Sequence, residues 1–577
     1  MRARTRTEAR WLALALLAAV LASLAVAPVA RAGARRECTL GCRVVQAGCV
    51  DDAALAYANA RAACEAAGES RGCTRTAKQL RKTAQRACRR YTKKTCKPCC
   101  QLGSINECRR SEGVPLAAEP QSGGDPVRGR ALLLEGDYMT CGVPAKLWDA
   151  GFASFIAGGY GGGADAPRLP ERQGRNADLP YFLTAFTSES GAEVLNGNCL
   201  MCHGGVFDGE LVIGLGNATA DFTRGAGGGT PGNLPDEVLD QLGLDAAEKA
   251  QFNLIAGRAA ALAGRTRMRT IGQNPAELLA VILMVHHDRD TLAWSDEELI
   301  PFVIRDRDGE PIGEPLLTSD PPPWWRAHKK NALFYNGMAR GDHRGTMALA
   351  TSVCVDTVAR AEAVDAMFRD IQAFVASVRP PAYPRGIDDR LAAAGERLFT
   401  RDCAGCHGTY AAREEEETYP NLLIPLDVVG TDPAVAEAGV VHAPELVDWY
   451  NGSFYGGITR MEPSDPFPGY MPPPLDGIWA TAPYLHNGSV PTIELVLNSR
   501  ARPRVWRRVD LDSTNFDENA VGWPWIEVPY GQDDAPAAER PFLYDTTKWS
   551  QSNGGHPFGD HLTADERRAV LEYLKTL

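Results

Sequence analysis

The pentapeptide Cys-x-x-Cys-His occurs twice, as Cys199 to His203 and as Cys403 to His407. Two cysteines three positions apart can form thioether bonds with the vinyl groups of one porphyrin, and the adjacent histidine can ligate its iron. The motif therefore predicts two covalently bound haem c groups, attached through Cys199, Cys202, Cys403 and Cys406 and ligated by His203 and His407. The alternative is a zinc site, in which paired Cys-x-x-Cys units share one metal ion. Each unit has its own histidine, which favours haem.

The sequence before each motif is also repeated. Gly191 and Gly395 both lie eight positions before the first cysteine, and two apolar residues follow each glycine at the third and fourth positions. We interpret both segments as the short helix that covers a haem edge. Since Cys199 and Cys403 are 204 positions apart, one haem domain cannot contain both motifs. We predict a first haem c domain with insertions over 129–390 and a second over 391–577.

The N-terminal residues predict export. Residues 1–32 combine an arginine-rich start, an apolar run from Trp11 to Ala27 and a small-x-small cleavage pattern at 30–32, as a secretory signal peptide does. An uncleaved anchor is the alternative. No later segment is apolar and long enough to span a membrane, so we expect a periplasmic or secreted protein of the kind found in Gram-negative bacteria.

Ten of the sixteen cysteines fall between Cys38 and Cys108. In an oxidising compartment such a dense, even set predicts a disulfide framework. The stretches 53–67 and 74–94 have helix-forming composition, so residues 33–108 are predicted to form a small disulfide-rich helical module, with a metal store as the alternative. Residues 109–128 are predicted to be a linker.

Charge separates this module from the rest of the chain. Residues 33–108 carry 15 Lys and Arg against 6 Asp and Glu, whereas the whole chain has a net charge of −11. The basic module can dock an acidic redox partner protein, the cell surface or the body of the chain, or remain a solvated surface without a partner. A nucleic-acid partner is not expected for an exported chain whose body is this acidic.

The body is predicted to be mainly α: two cytochrome c-like haem domains with long loops, after the disulfide-rich helical module. Helical spacing of apolar residues covers 246–263, 274–286 and 360–378, and Thr563 with Glu566 predicts a capping box for a last helix. The acidic run 414–417 is predicted to be a solvated loop. Cys141 and Cys354 remain; they can form a disulfide or stay as two buried thiols.

Four segments, 136–144, 322–343, 475–489 and 555–559, resemble RoxA-type dihaem rubber oxygenases, and this resemblance covers roughly 129–577. More distantly the chain is similar to dihaem cytochrome c peroxidases and MauG-like enzymes. The resemblance implies an N-terminal haem that binds oxygen in an apolar pocket and a C-terminal haem closed by two histidines. As in related peroxidases, calcium between the haem domains is a further possible cofactor.

The sixth ligand of each iron decides what each haem can do, because a haem with two strong protein ligands transfers electrons and one with an open site can bind a small molecule. After His203 the next histidines are His286 and His287, so the first haem is a candidate for the open site. For the second haem we favour His556, which is flanked by glycines. The alternatives are His486 and the methionines Met461 and Met471.

Trp324, Trp325 and Phe334 are the candidate catalytic-pocket residues of the first haem, because large rings can exclude water from bound oxygen. Trp324 and Trp325 correspond by resemblance to a Phe-Trp pair of RoxA-type enzymes. Ordinary packing between domains is the alternative for each ring. A peroxidase would need a carboxylate near the reactive haem, for which Glu277 and Asp288 are candidates.

The expected function is that of a haem-dependent oxidoreductase. The favoured reaction is cleavage of carbon–carbon double bonds in an apolar, polyisoprene-like substrate by dioxygen at the first haem, while the second haem sets the redox state. The first alternative is a dihaem peroxidase or MauG-like oxidase that uses hydrogen peroxide. The second is a non-enzymatic electron carrier.

Overall fold

The computed structural model describes residues 113–227, 234–305 and 317–577, together with six helical residues of the N-terminal module. These six, Lys78, Arg81, Lys82, Gln85, Arg86 and Arg89, fall within the predicted helix 74–94. The predicted signal peptide and the cysteine framework lie outside the described residues.

Helices take up 41% of the described residues and strands 13%, so the mainly helical class is confirmed for this part of the chain. The α-helices are α1 Pro126–Glu135, α2 Ala145–Leu147, α3 Ala153–Gly159, α4 Arg175–Asp178, α5 Leu200–His203, α6 Asp236–Gln241, α7 Ala246–Ala263, α8 Ala276–His286, α9 Arg344–Leu349, α10 Val358–Ser377, α11 Asp389–Asp402, α12 Ala404–His407, α13 Leu426–Val429, α14 Ala434–Glu437, α15 Pro444–Gly452, α16 Ile493–Val496 and α17 Ala564–Leu574. Helices α7, α8 and α10 correspond to the predicted segments, each within about two residues at either end.

Short strands form five small sheets that the sequence did not predict. The strands are β1 Val114–Pro115, β2 Val143–Pro144, β3 Leu183–Thr187, β4 Glu193–Gly197, β5 Gly204–Phe207, β6 Glu210–Ile213, β7 Ala339–Gly341, β8 Leu422–Pro425, β9 Thr459–Met461, β10 Gly469–Tyr470, β11 Val505–Arg508, β12 Trp525–Glu527 and β13 Leu543–Asp545. Their orders are β1-β8-β10, β2-β4-β3, β12-β11-β13, β5-β6 and β7-β9, and every pairing is antiparallel.

The prediction of a helix before the first haem motif is wrong. Gly191 lies in a turn with φ 83°, and the residues after it form β4, which pairs with β3 in the register Leu195 to Ala185. Val194 and Leu195 are both buried. A strand within a sheet can bury both faces, so two adjacent apolar residues do not require a helix here.

The helix predicted before the second motif is present as α11, and the terminal helix α17 crosses it. Gly395 lies at the crossing, where an added Cβ would be 1.9 Å from the Ala569 carbonyl oxygen. One turn later the rings of Phe399 and Tyr573 have centroids 5.2 Å apart. Thr563 and Glu566 form the predicted capping box of α17.

Three long-range connections hold the start of the body. Cys141 and Cys354 form a disulfide with Cα atoms 5.3 Å apart, which decides between the two alternatives of the sequence. Helix α1 packs on α10, where Gly129 brings the backbones together. Residues 114–116, within the predicted linker, contact the second half of the chain, because Val114 pairs with Leu423 and Leu116 packs in an apolar cluster with Met471.

Among the described residues, no helix is both apolar enough and long enough to span a membrane.

Candidate haem-binding sites

Both motif histidines are held by the carbonyl of a proline. His203 Nδ1 donates to the Pro322 carbonyl at 3.0 Å, and His407 Nδ1 donates to the Pro473 carbonyl at 2.8 Å. The bond fixes the tautomer of each ring and leaves Nε2 with its lone pair for a metal. Burial lowers the pKa of each ring to about 4, so both are neutral at pH 7, as metal ligands must be.

The first motif is positioned by a buried asparagine. Asn198 Oδ1 accepts from Leu200 N at the start of α5, while its amide donates to the Tyr181 carbonyl and to Thr184 Oγ1. Asn198 therefore ties the motif to β3, which Thr184 belongs to. Cys199 and Cys202 are free cysteines and take no part in the Cys141–Cys354 disulfide.

The second motif opens into a large cavity. Cys403, Cys406 and His407 line it together with apolar side chains from α11, α17 and the loops between them, and its volume is about 1500 Å³ with the solvent at its mouth. Two cysteines, a neutral imidazole and an apolar wall are the donor set and surroundings that covalent haem c needs. The residues present fit a haem at this motif.

His556 faces His407 across this cavity. The ring centroids are 6.3 Å apart. Two imidazoles bound to one iron from opposite sides, each with a metal–nitrogen distance of roughly 2 Å, would have centroids about 6 Å apart. Burial lowers the pKa of His556 to about 3, which keeps the ring neutral. The spacing allows both rings to ligate one metal ion.

The loop that carries His556 is fixed by close backbone contacts. His556 N donates to the Val429 carbonyl at 2.7 Å, and an added Cβ on Gly555 would be 2.2 Å from the Gly430 carbonyl carbon. Arg502 donates to the carbonyls of Asn553 and Gly555 at 2.6 and 2.8 Å. The ring position therefore depends on glycine at 555 and on the Arg502 guanidinium.

The alternative ligands lie elsewhere in the second half. His486 lines the cavity, but its Nε2 lies 3.1 Å from the Tyr470 hydroxyl and its ring stacks on Tyr470 with centroids 4.2 Å apart. Met471 also lines the cavity. Met461 is on β9, paired with Ala339 of β7, and is not among the residues that line the cavity.

The three candidate pocket residues are not brought together on one surface. Trp324 stacks on His203 with ring centroids 5.2 Å apart and an angle of 28°, so it lies beside the histidine ring of the first motif. Trp325 is fully buried against the second half, in a cluster with Trp479, and donates to the Asp476 carbonyl. Phe334 is half-buried, and its φ is 64°. Their catalytic roles stay predictions.

The two candidate carboxylates have different surroundings. Glu277 is on α8, is half-buried beside the first motif, and accepts a hydrogen bond from Ser319 Oγ; burial raises the pKa of its carboxyl. Asn274, three residues earlier, has Oδ1 3.7 Å from Cys202 Sγ. Asp288 is at the surface, where the hydrogen bond from Thr291 lowers its pKa.

The acidic run after the second motif is less exposed than predicted. Glu414 to Glu416 form a 3-10 helix, and the Glu417 carboxylate is only 13% exposed because it pairs with Lys329. The prediction of a solvated loop is therefore wrong for Glu417.

A second internal repeat was missed in the sequence. Residues 321–339 and 472–490 share a proline triplet and an Asn-Gly pair at the same spacing, 151 positions apart. Phe334 and Leu485 occupy equivalent positions with φ 64° and 65°, and Pro322 and Pro473, the acceptors of the two motif histidines, are equivalent as well. The proline triplet followed by Asn-Gly is the sequence signal that could have revealed it.

Comparison with known families supports a cytochrome c-like domain in the second half. Residues 469–507 match the family described as RoxA-like, cytochrome c-like. The match includes Tyr470, Met471, Pro473 and His486, all at the second site. The resemblance to RoxA-like proteins is confirmed over this stretch, and a haem c cofactor is supported; two haems and a periplasmic location stay predictions.

Two curated relatives come from Sinorhizobium fredii (strain NBRC 101917 / NGR234). The chain is 29% identical to the uncharacterized protein y4iJ, over 35% of this chain and 41% of the relative. It is 28% identical to the uncharacterized protein y4iM, over 35% of this chain and 52% of the relative. The chain thus spans about half the length, or less, of these relatives.

Within the described ranges, no group of three or more His, Cys, Asp or Glu side chains is arranged to hold a metal ion. Calcium between the haem domains stays a prediction.

Proposed function

We propose that this chain is an exported dihaem c-type cytochrome that cleaves carbon–carbon double bonds of an apolar, polyisoprene-like substrate with dioxygen. The first motif would hold the reactive haem and the second an electron-transfer haem. The observation that carries the proposal is the unequal surroundings of the two motif histidines: the ring contact of His203 is with Trp324, and that of His407 is with His556.

The second site supports electron transfer. His407 and His556 both present neutral rings at a separation that suits two axial ligands. A haem closed by two histidines keeps the same ligands in both oxidation states, which is what electron transfer requires. Gly555 and Arg502 hold the second ligand in place.

The first site supports chemistry on a small oxidant. A haem with one axial position free supplies the redox reactions of dioxygen or peroxide. The chain's own contribution is to fix His203 through the Pro322 carbonyl and to limit rotation of its ring by the stacked Trp324. The buried apolar cluster that contains Trp324 would keep water away from the first motif.

Glu277 favours a second candidate function, that of a peroxidase or MauG-like oxidase. A buried carboxyl group that keeps its proton can act as a general acid in cleavage of an O–O bond. Burial raises the pKa of the Glu277 carboxyl, which favours the protonated form, and Glu277 lies on the helix that starts beside Asn274 and Cys202.

The axial-ligand assignment is tested by haem counting and spectroscopy on the purified protein, with His556→Ala and His486→Ala as a matched pair. We expect two haems c, one low-spin and one that binds carbon monoxide. His556→Ala should convert the low-spin haem to a form that binds carbon monoxide, and His486→Ala should leave it low-spin. Two ligand-saturated haems in the wild-type protein would contradict both enzyme functions and leave an electron carrier.

The reaction is tested by incubating the protein with polyisoprene latex under air, without peroxide. Release of oligo-isoprenoid carbonyl products would support the oxygenase. Turnover of a reduced cytochrome only when hydrogen peroxide is added would reject it in favour of the peroxidase. Glu277→Gln should then reduce peroxide turnover but leave carbon monoxide binding unchanged.

A further inference from the structure

A buried guanidinium faces the second cavity. Arg326 is 6% exposed and lines the cavity that contains Cys403, Cys406 and His407. It belongs to the 3-10 helix Trp324–Lys329, which lies in the chain between the two motifs. Thus a residue outside the second haem segment contributes a positive charge to the second site.

The partners of Arg326 are neutral. Its Nε donates to the Asp476 carbonyl at 3.1 Å, and its Nη2 donates to Thr481 Oγ1 at 3.4 Å. Among the described residues, no carboxylate forms an ion pair with Arg326. Lys329, on the same 3-10 helix, pairs with Glu417 and with the carboxylate of Asp476.

The acidic group of the same cavity does not compensate Arg326 by contact. Asp320 lines the cavity and is 8% exposed, and burial raises the pKa of its carboxyl well above the usual range. The positive charges of Arg508 and Arg326 oppose this effect and lower the pKa of Asp320. A buried charge without a paired opposite charge is unfavourable, so an anionic group of a bound ligand would be stabilised beside Arg326.

The ligand that the cysteines of this cavity would hold brings suitable anions. Haem c carries two propionate carboxylates, and a guanidinium binds a carboxylate through charge-assisted, often bidentate, hydrogen bonds. We propose that Arg326 binds a propionate of the haem attached at Cys403 and Cys406. The inference rests on the proposed function, because it needs a haem at the second motif.

This contact would link the two sites. Pro322, whose carbonyl accepts from His203, and Trp324, which stacks on His203, are four and two residues before Arg326. One short segment therefore contacts the proximal ligand of the first site and the cofactor edge of the second. Arg326 is a positioning residue that also sets the reduction potential of the second haem, since a nearby positive charge favours the reduced iron.

The test compares Arg326→Gln and Arg326→Lys with a surface control, Arg568→Gln. Arg568 is 71% exposed on α17, so its variant makes the same chemical change away from the cavity. The measurements are the number of haems per chain, the propionate-bending bands in resonance Raman spectra, and the reduction potential of the low-spin haem between pH 5 and 9.

We expect Arg326→Gln to retain both haems, to shift one propionate band and to lower the potential of the low-spin haem. That potential should also become pH-dependent near neutrality, because a propionate without its cation takes up a proton more easily. Arg326→Lys, which keeps the charge, should give intermediate values, and Arg568→Gln should match wild type.

Unchanged propionate bands in Arg326→Gln with both haems bound would overturn the inference alone. If Arg326→Gln loses the second haem, Arg326→Lys decides: a shifted band supports the contact, and wild-type bands overturn it. A single haem in the wild-type protein would instead contradict the proposed function. The two failures are therefore distinguishable.

Discussion

Gly555 is the residue on which the position of His556 depends most directly. It has φ 73°, and an added Cβ would lie 2.2 Å from the Gly430 carbonyl carbon. Gly555→Ala should therefore move the loop, at a cost of about 1–3 kcal/mol for the backbone conformation alone. We expect a loss of low-spin signal from the second haem and a lower unfolding temperature, measured by absorption and thermal unfolding.

The neighbouring Gly554 is a matched control. Its φ is not positive, and an added Cβ would meet Ser552 Oγ at 3.3 Å, the end of a side chain that can move. Gly554→Ala should keep the low-spin signal. Equal effects of the two variants would show that the loop, rather than the Gly555 contact, is sensitive to any added methyl group.

Individual residues of the sites were predictable to different degrees. The close backbone approach of the loop that carries His556 was predictable from its glycine neighbours, whereas the roles of His203, His407 and His556 as haem ligands stay predictions. The different surroundings of Trp324 and Trp325 could not be predicted from the sequence. Adjacent residues on a 3-10 helix point in different directions, and only tertiary packing decides what each side chain contacts. The position of Arg326 beside the second cavity has no local sequence signal, since it depends on tertiary packing.

At the scale of elements, glycines within helices differ in their environment. Gly395 lies at the α11–α17 crossing, where a Cβ would meet the Ala569 carbonyl oxygen, whereas Gly257 lies within α7 with nothing within 4 Å of an added Cβ. Gly257→Ala should stabilise the protein by about 0.5–1 kcal/mol through helix propensity. Gly395→Ala should destabilise it, because the helices must separate.

The opposite effects of the two substitutions on stability are measured as changes in unfolding temperature under the same conditions. Gly257→Ala and Gly395→Ala make the same substitution, so propensity is matched and only the crossing differs. A stabilising effect of Gly395→Ala would mean that α11 and α17 are not packed as closely as the backbone contact requires.

The pairing of α1 with α10 includes a buried carboxylate. Asp370 is 6% exposed and accepts from Asp125 N and Arg128 Nη2, both at 2.8 Å. The hydrogen bond from Arg128 is the largest influence and lowers the pKa of Asp370. Asp370→Asn should reduce the unfolding free energy by about 1–2 kcal/mol at pH 7, since hydrogen bonds to a charged acceptor are lost.

The pH dependence follows from the direction of that shift. A carboxyl whose pKa is lower in the folded state stabilises the fold above its unfolded pKa, roughly 3.9, and loses the effect as pH falls through the folded value. The difference between wild type and Asp370→Asn should therefore be full at pH 7 and shrink below about pH 4. Chemical unfolding at several pH values measures it, with the exposed Glu362→Gln on α10 as control.

Elements were predictable where a helix is long and its apolar spacing is regular. Helix α7 begins and ends at the predicted residues. Strand β4 was missed because Val194 and Leu195 are buried by β2 and β3 from other parts of the chain, and periodicity over so few residues does not separate helix from strand.

At the scale of the whole molecule, segments from the first half of the sequence pack against residues of the second half. Residues 114–116 precede the first motif but contact Leu423 and Met471 of the second half. Trp325 likewise reaches Asp476. A composition-based linker prediction cannot detect such contacts, because a short segment rich in Gly and Pro can be a linker or an ordered edge strand.

The disulfide between Cys141 and Cys354 should contribute to the stability of this shared architecture. It closes a loop with a sequence separation of 213 residues that includes the whole first motif. A cross-link over a long loop restricts the unfolded chain, and removal of a native disulfide typically costs about 2–5 kcal/mol. We expect the double variant Cys141→Ala, Cys354→Ala to unfold at lower denaturant concentration than wild type. The unfolding free energy of the variant should also fall more steeply with denaturant concentration, because its unfolded chain is more expanded.

The haem content and spectra of the variant at neutral pH serve as the control for a native fold. An unchanged unfolding midpoint would show that the disulfide does not stabilise the protein.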